Sequence, residues 1–195
     1  MKLYYSPGAC SLAGHIVAAE GGLALDLVKV DLKTHKTESG EDFYAINPKG
    51  YVPALKLEDG SILAENGAIL PFLGDKAGSM PKDGMDRYHA LEWIAFINSE
   101  IHKSFSPLFQ GADDAAQAKA KEKILGRLKL TEGRLTGDFL MGGSFTPPDA
   151  YLFVMLTWCE RMGIDVSGLP HLTAFQARMA ARPGVRKALQ EEGLN

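Results

Sequence analysis

Cys10 is the residue whose type and position point most directly to chemistry. It follows a turn at residues 6–9, after a short strand pattern and before apolar residues at helical spacing. We therefore expect Cys10 in the first turn of a helix, where free N–H groups and the helix dipole favour a thiolate. Thiols so placed have pKa values of roughly 3.5–7.5, against about 8.5 for a free cysteine. The alternative for this segment is a small core residue.

The pair Val52-Pro53, which opens a predicted strand, is a second candidate. Proline has no N–H to donate to a sheet, so it belongs at an edge or in a turn. A cis bond before Pro53 would turn the Val52 backbone outward, where it can pair with an extended peptide by strand addition. A plain turn proline is the alternative.

Glu65 and Asn66 open a predicted helix. The free N–H groups at a helix N-terminus bind a carboxylate, and Glu65 offers a counter-charge to an ammonium group. The pair therefore suits the zwitterionic amino-acid end of a ligand. The alternative is that Glu65 merely complements the helix dipole.

His102 is the fourth candidate. Ala95, Ser99 and His102 follow one another in steps of four and three residues along a predicted helix, so they form a stripe beside its apolar face. This stripe would bring a titratable group to a cleft between two domains, although a lone histidine is often an ordinary surface or cap residue. His15 follows Cys10 by five residues and points to another side of its helix, so we interpret it as structural.

The elements that position these residues divide the chain in two. Residues 1–77 follow the order strand–helix–strand–helix–strand–strand–helix, with a loop and a short helical turn after residue 33, and predict a thioredoxin-like α/β domain with a mixed four-stranded sheet. Residues 78–85 are rich in Gly, Pro and charge and predict a linker. Residues 86–195 carry apolar residues at three- and four-residue steps and predict an all-α domain.

Three helix signals stand out in this second part. Residues 88–109 show continuous helical periodicity, and residues 113–140 form a long amphipathic pattern that a glycine can break near its end. Thr146 fits an N-cap before two prolines, and Asp149 can close a capping box.

Composition excludes several classes of protein. The 195 residues are 46% hydrophobic and 23% charged, and their formal net charge of -3 offers no basic face for nucleic acid. No stretch approaches the ~20 apolar residues that cross a bilayer, so we expect no membrane partner. The two cysteines, Cys10 and Cys159, form no disulfide framework, which favours a cytoplasmic location. We expect no metal site.

Segments spread through both parts resemble the bacterial beta-class glutathione transferases, in the same order along the chain. The resemblance covers essentially the whole sequence. It is carried by residues 5–12 (YSPGACSL), 47–55 (NPKGYVPAL), 65–69 (ENGAI), 100–103 (EIHK), Phe105, 107–109 (PLF), 149–153 (DAYLF), 182–183 (RP) and 192–194 (EGL).

The resemblance implies the glutathione transferase fold, a homodimer and a glutathione site. In the family, the counterpart of Cys10 lies against the glutathione sulfur and can form a mixed disulfide with it. The counterpart of Val52 pairs its backbone with the cysteinyl part, Glu65 and Asn66 match the pair that holds the γ-glutamyl end, and His102 matches the histidine that borders the sulfur.

The counterpart of Glu100 approaches the glutathione of the partner subunit. Cys10 and His102 are thus the implied catalytic residues. The implied glutathione-binding residues are Ala9, Cys10, His35, Tyr51, Val52, Pro53, Glu65, Asn66, Ser99, Glu100 and His102.

The sequence departs from the family at three positions. Asn66 stands where serine or glycine is usual, and Ala95 stands where an asparagine is frequent, with Asn98 close by in the same helix. His35 replaces a lysine that often meets the glycine carboxylate of glutathione. Either His35 or a neighbouring lysine, at position 33 or 36, takes that role.

The implied activity is conjugation of glutathione, as co-substrate, to hydrophobic electrophiles, with no tightly bound cofactor. It stays open whether Cys10 itself performs thiol–disulfide exchange or peroxidase chemistry or only borders the glutathione sulfur. The segment CSLA at residues 10–13 lacks a second cysteine, which disfavours a dithiol mechanism. The alternative is a non-catalytic binding or interaction protein of the same fold, although Cys10, Glu65 and His102 together argue against it.

Overall fold

The structure, a computed structural model, describes residues 1–194 and begins with a mixed sheet. Its strands, in chain order, are β1 (Lys2–Tyr5), β2 (Asp26–Asp31), β3 (Lys36–Thr37), β4 (Ala54–Lys56) and β5 (Ile62–Ala64). Their spatial order is β3-β2-β1-β4-β5. The β1–β2 pair is parallel and the other pairs are antiparallel, with Leu3 opposite Leu27 on one side and Leu55 on the other.

The sheet has five strands rather than the four expected from the sequence. The additional strand is β3, which lies in the stretch interpreted as a loop and pairs Thr37 with Val30 and Lys36 with Asp31. Two residues are too few to show the alternation of apolar and polar side chains by which a strand is recognised. The mixed character of the sheet and its thioredoxin-like order are confirmed.

Eight α-helices complete the described part of the chain. They are α1 (Leu12–Glu20), α2 (Asn66–Ala77), α3 (Gly84–Phe96), α4 (Ser106–Phe109), α5 (Asp114–Arg134), α6 (Pro147–Arg161), α7 (Pro170–Ala180) and α8 (Pro183–Glu191). Helix α1 packs against α2, α6 and α8, so one hydrophobic core runs from the sheet into the helical part. Asn195, the last residue of the predicted helical domain, lies outside the described residues.

The region predicted as one helix at residues 88–109 changes its winding before it ends. After α3, residues Ile97–Ile101 form a π-helical turn and His102–Phe105 form a 3-10 turn, before the short α4. Such local changes of winding are frequent at functional sites. His102 begins the 3-10 turn, so this irregularity sets the direction of its side chain.

Helix α5 ends at Arg134, earlier than the full pattern to residue 140 would allow. Helix α6 begins as predicted, after a capping box. The buried Asp149 carboxylate accepts hydrogen bonds from Thr146 N and Thr146 Oγ1, both at 2.7 Å, and from Leu140 N at 2.8 Å. It therefore joins the start of α6 to the preceding loop.

Within residues 1–194, no helix combines the length and the apolar composition that a membrane crossing requires.

Candidate active site

A cleft of about 900 Å³ lies between the sheet part and the helical part of the chain. Residues from the first part of the chain, including Cys10 and Val52, line one side. Residues of the helical part, including His102 and Tyr151, line the other. The cleft therefore joins residues more than ninety positions apart in the sequence, and it contains most of the predicted site.

Cys10 lines this cleft but is only 9% exposed. It lies in a turn two residues before α1, closed by the hydrogen bond from Leu12 N to Ala9 O at 3.0 Å. Its Sγ donates to Val52 O over 3.4 Å. Ala9 lines the cleft beside it.

The surroundings of the Cys10 thiol do not lower its pKa. Burial raises its pKa to about 12, the N–H groups of Cys10 and Ser11 oppose this, and the charge of Glu65 adds to the rise. The expectation of a lowered pKa is therefore wrong, because burial outweighs the backbone N–H groups and α1 begins two residues later than the sequence suggested. A neutral thiol occupies this position at pH 7.

The Val52–Pro53 peptide bond is cis, and Tyr51, Val52 and Pro53 all line the cleft. Val52 N–H makes no hydrogen bond to any residue within 1–194, and Val52 O accepts only the Cys10 thiol there. A carbonyl oxygen has two lone pairs, so Val52 still offers one donor and one acceptor to an extended ligand. Asn47 supports this segment by donating from Nδ2 to Tyr51 O at 2.7 Å.

Glu65 and Asn66 lie at the start of α2, on the same cleft wall. Glu65 has a φ of 73°, a value that side chains other than glycine rarely adopt, and such backbone strain concentrates at functional sites. Its half-exposed carboxylate pairs with Lys49 Nζ at 2.6 Å. Asn66 donates from Nδ2 to Cys10 O at 3.0 Å, and its buried Oδ1 has no partner within residues 1–194.

His35 also lines the cleft, whereas the neighbouring lysines at positions 33 and 36 do not. Its φ of 51° lies in the left-handed region, and its ring packs on Tyr44 with 4.5 Å between ring centroids. Its Nδ1 is buried and has no partner among the described residues. Of the three basic residues considered for this position, His35 is therefore the one directed at the cleft.

On the opposite wall, His102 is held by Tyr151. His102 Nδ1 lies 2.7 Å from Tyr151 Oη, and Tyr151 Oη donates to Asn98 Oδ1 over 2.8 Å. A phenol has one proton, so with that proton given to Asn98 the bond between the other two groups must be donated by His102 Nδ1. The imidazole Nε2 then carries the free lone pair, and it has no partner within residues 1–194.

The environment keeps this imidazole neutral. Burial lowers the pKa of His102 to about 4, the charge of Lys103 lowers it further, and Glu65 opposes them. The ring packs edge-on against Trp158 and Tyr151, with centroids 5.1 Å and 5.8 Å away. His102 is therefore a neutral proton acceptor in a cleft that also contains Cys10.

The loop before Cys10 is held by the helical part of the chain. Gly8 N donates to Glu192 Oε2 at 2.9 Å, and Trp158 Nε1 donates to Gly8 O at 2.7 Å. His15 is buried between two carboxylates, 3.1 Å from Glu192 Oε1 and 2.8 Å from Glu191 Oε2. Its structural role is confirmed.

Two predicted site residues lie outside this cleft. Ser99 is exposed, and Glu100 pairs with Arg127 Nε at 2.9 Å. Neither lines the cleft.

Sequence reasoning missed Tyr151, Trp158 and Glu192, and it noted Asn98 only as a neighbour of an altered position. Tyr151 lies in the apolar run of α6 and is fully buried. A buried tyrosine hydroxyl requires a hydrogen-bond partner, and this requirement was the available signal.

Comparison with known proteins agrees with this geometry. Residues 8–76 match the family model "Glutathione S-transferase, N-terminal domain", and residues 85–183 match "Glutathione S-transferase, C-terminal domain". The chain is 41% identical, over the whole length of both proteins, to the glutathione S-transferase GstA of Escherichia coli O157:H7.

Solved structures that resemble this chain belong to the same family. The beta-class glutathione S-transferase of Sphingomonas chungbukensis is 46% identical with a TM-score of 0.96, and a sphingomonad glutathione S-transferase complexed with glutathione is 45% identical with a TM-score of 0.95. Both alignments cover 100% of each chain. The chain therefore belongs to the glutathione S-transferase family, and its resemblance is to bacterial, beta-class members.

Proposed function

We propose that this enzyme binds glutathione as a co-substrate in the cleft and conjugates it to hydrophobic electrophiles. The observation that carries the proposal is that the Val52 backbone, the start of α2 and the His102 imidazole, distant in sequence, line one cleft. The solved relative with bound glutathione supports the choice of thiol.

The three parts of glutathione fit three features of the cleft wall. Its γ-glutamyl end meets the N–H groups at the start of α2 and the carboxylate of Glu65. Its cysteinyl N–H and C=O pair with Val52, with Tyr51 and Pro53 on either side. Its glycine carboxylate meets His35. The sulfur then lies near Ala9 and Cys10, across from His102.

The chemical step needs a thiolate, and His102 is the group that can generate it. Nε2 of the neutral imidazole accepts a hydrogen bond from the glutathione thiol and takes up its proton as the sulfur attacks the electrophilic carbon, because an imidazole with a pKa of about 4 does not hold that proton beforehand. As the carbon–sulfur bond forms, the bond to the leaving group breaks with its electron pair. Cys10, a neutral thiol, can stabilise that thiolate by turning its single S–H from Val52 O to the glutathione sulfur.

Cys10 supports a second activity of the same site. Attack of a Cys10 thiolate on a glutathione-containing disulfide would form a mixed disulfide and release one thiolate, and a second glutathione would then restore Cys10. Because burial raises the pKa of Cys10 to about 12, far above that of His102, the Cys10 thiolate is a minor form at pH 7, and this route is expected to be slower than conjugation. Peroxide reduction would use the same thiolate.

A direct test compares binding and turnover. Isothermal titration with glutathione should show one site per chain, and conjugation of 1-chloro-2,4-dinitrobenzene should be followed at 340 nm. His102→Ala should reduce kcat/KM by about a hundredfold, within the range that general bases contribute. The exposed His89→Ala serves as the matched control, since it lies outside the cleft.

Two results would contradict the proposal. Absence of both glutathione binding and turnover would favour the alternative, a non-catalytic interaction protein. Equal activity of His102→Ala and the wild type would remove His102 from the mechanism.

The same proposal includes the domain boundaries, the cellular location and the oligomeric state of the enzyme. We place the glutathione-binding domain at residues 1–77, the linker at 78–85 and the second-substrate domain at 86–195. The enzyme acts in the cytoplasm as a homodimer in which Ser99 and Glu100 approach the glutathione of the partner subunit. This role is supported by their position outside the cleft of their own protomer.

A further inference from the structure

The helical wall of the cleft carries two cations that the proposed glutathione site does not use. Lys103 and Arg161 both line the cleft and are exposed. Neither forms a salt bridge or a side-chain hydrogen bond with any residue in the range 1–194. Each charge is therefore available to a ligand.

No acid on the same wall balances these charges. Glu65 is the one carboxylate that lines the cleft among the described residues, and it lies on the opposite wall in contact with Lys49 at 2.6 Å. The lining of the helical wall thus presents two cations and no carboxylate, which attracts anions, while the carboxylate of Glu192 lies outside the lining and accepts from Gly8 N at 2.9 Å.

The position of Arg161 places its guanidinium against the loop that precedes Cys10. A β-carbon at Gly8 would lie 3.1 Å from Arg161 Nη1, so the guanidinium covers the loop two residues before Cys10. Trp158 lies one turn earlier on α6 and donates to the carbonyl oxygen of the same glycine. The indole and the guanidinium therefore lie side by side on this loop.

An apolar surface lies beside the cations. Phe109 packs edge-on against Trp158 with 4.8 Å between centroids, and it is nearly half exposed. A flat apolar group can stack here, while an anionic substituent reaches the guanidinium or the ammonium group.

From this arrangement we propose that the preferred second substrate is an aromatic or extended apolar electrophile that carries a carboxylate. The carboxylate binds Arg161, with Lys103 as a second charge, and the apolar body packs on Phe109 and Trp158. This orients the electrophilic carbon towards the glutathione sulfur, and for an aryl halide a carbon–sulfur bond replaces the carbon–halogen bond as halide leaves. This inference rests on the proposed conjugation activity and names its substrate class.

The test uses two electrophiles with the same ring and leaving group, the anion 4-chloro-3,5-dinitrobenzoate and its uncharged methyl ester. The readout is the ratio of kcat/KM for the carboxylate to kcat/KM for the ester, with glutathione saturating. Comparison of each variant with the wild type cancels the different intrinsic reactivities of the two compounds. We expect Arg161→Gln to lower this ratio about tenfold, the effect of one charge-assisted contact.

Lys103→Gln should lower the same ratio several-fold. Because Lys103 also helps to lower the pKa of His102, this variant is compared at a pH above 7, where His102 is neutral in both proteins. Lys119→Gln removes an exposed lysine that does not line the cleft and is the matched control, with an unchanged ratio. Added NaCl should lower the wild-type ratio by screening the two cations.

An unchanged ratio in Arg161→Gln would overturn the inference while leaving conjugation itself intact. A raised KM for glutathione in that variant, with an unchanged ratio, would assign Arg161 to a carboxylate of glutathione and would also overturn it. Absence of turnover of both compounds by the wild type would instead contradict the proposed function.

Discussion

Tyr151 Oη lies 2.7 Å from His102 Nδ1 and joins the core of α6 to the one imidazole on the helical wall of the described cleft. Because the tyrosine proton goes to Asn98, the histidine must donate at Nδ1 and keep its lone pair at Nε2. A fully buried phenol thus selects the tautomer of a residue that faces the ligand.

Tyr151→Phe is expected to reduce kcat/KM for conjugation by about tenfold, because the Nδ1–H tautomer loses its acceptor and Nε2 becomes the protonated nitrogen in part of the molecules. The loss should appear in kcat more than in the KM for glutathione. Nitrogen-15 NMR should show the Nδ1–H tautomer in the wild type and a mixture in the variant. Tyr88→Phe, on an exposed side chain of α3, controls for loss of a hydroxyl. An identical NMR signature in Tyr151→Phe would contradict the selection of the tautomer by Tyr151.

The lowered pKa of His102 predicts a pH dependence of stability. The pKa falls from 6.5 in the unfolded chain to about 4 in the folded protein, so the unfolded state binds the proton more readily. The contribution of His102 is therefore fully present above pH 6.5 and is lost as the pH falls towards 4, by up to about 3 kcal/mol. Urea unfolding of the wild type and of His102→Gln at pH 7.5 and 4.5 should show the wild type losing more stability on acidification. Parallel losses in both proteins would refute the assignment.

Cys10→Ala should separate the two activities proposed for the site. Conjugation should fall by less than about tenfold, because glutathione supplies its own thiol and His102 is intact, whereas disulfide exchange should be abolished. The two readouts are aryl halide conjugation and reduction of hydroxyethyl disulfide by glutathione. Cys159→Ala, which removes a buried thiol that does not line the cleft, should retain both. Retained disulfide exchange in Cys10→Ala would exclude the mixed-disulfide route.

Alkylation of the wild type should follow the raised pKa of Cys10. Iodoacetamide should label the free enzyme slowly at pH 7 and faster as the pH rises towards 9, because only the thiolate reacts and burial holds the pKa near 12. Mass spectrometry of the labelled peptides distinguishes Cys10 from Cys159. Rapid labelling of Cys10 at pH 7, without glutathione, would show an activated thiol.

The capping box of α6 should be important for stability. Asp149→Ala leaves the backbone N–H groups of Thr146 and Leu140 without their buried acceptor, and the loss of such partners costs roughly 1–3 kcal/mol for each group. We expect a loss of about 3 kcal/mol in the free energy of unfolding, measured by urea denaturation at pH 8. Asp113→Ala removes the exposed cap of α5, which accepts from Ala116 N at 2.8 Å, and should cost about 1 kcal/mol. Similar losses in the two variants would contradict the special role of the buried cap.

The local patterns of the sequence predicted most of the elements and several of the site residues. Thr146 and Asp149 predicted the start of α6, because a capping box is formed by two residues that are three positions apart in the sequence. Val52, Glu65 and His102 were identified because their types and local positions, at a strand opening, at a helix start and on one helix face, are unusual. The strand β3 was not predicted, because its two residues are too few to show an alternation of apolar and polar side chains.

Only the tertiary structure decided how these residues act. The pKa of Cys10 depends on how much of the chain covers it, and residues from both parts of the molecule do so, which reverses the expectation from its place near a helix start. The proton position on His102 depends on Tyr151, forty-nine residues away in sequence. The spacing of residues in the sequence predicts that the Cys10 thiol and the His102 imidazole lie near the ends of helical elements, but it does not predict their protonation states. Their protonation depends on burial and on partners that meet only when the two parts of the chain pack together.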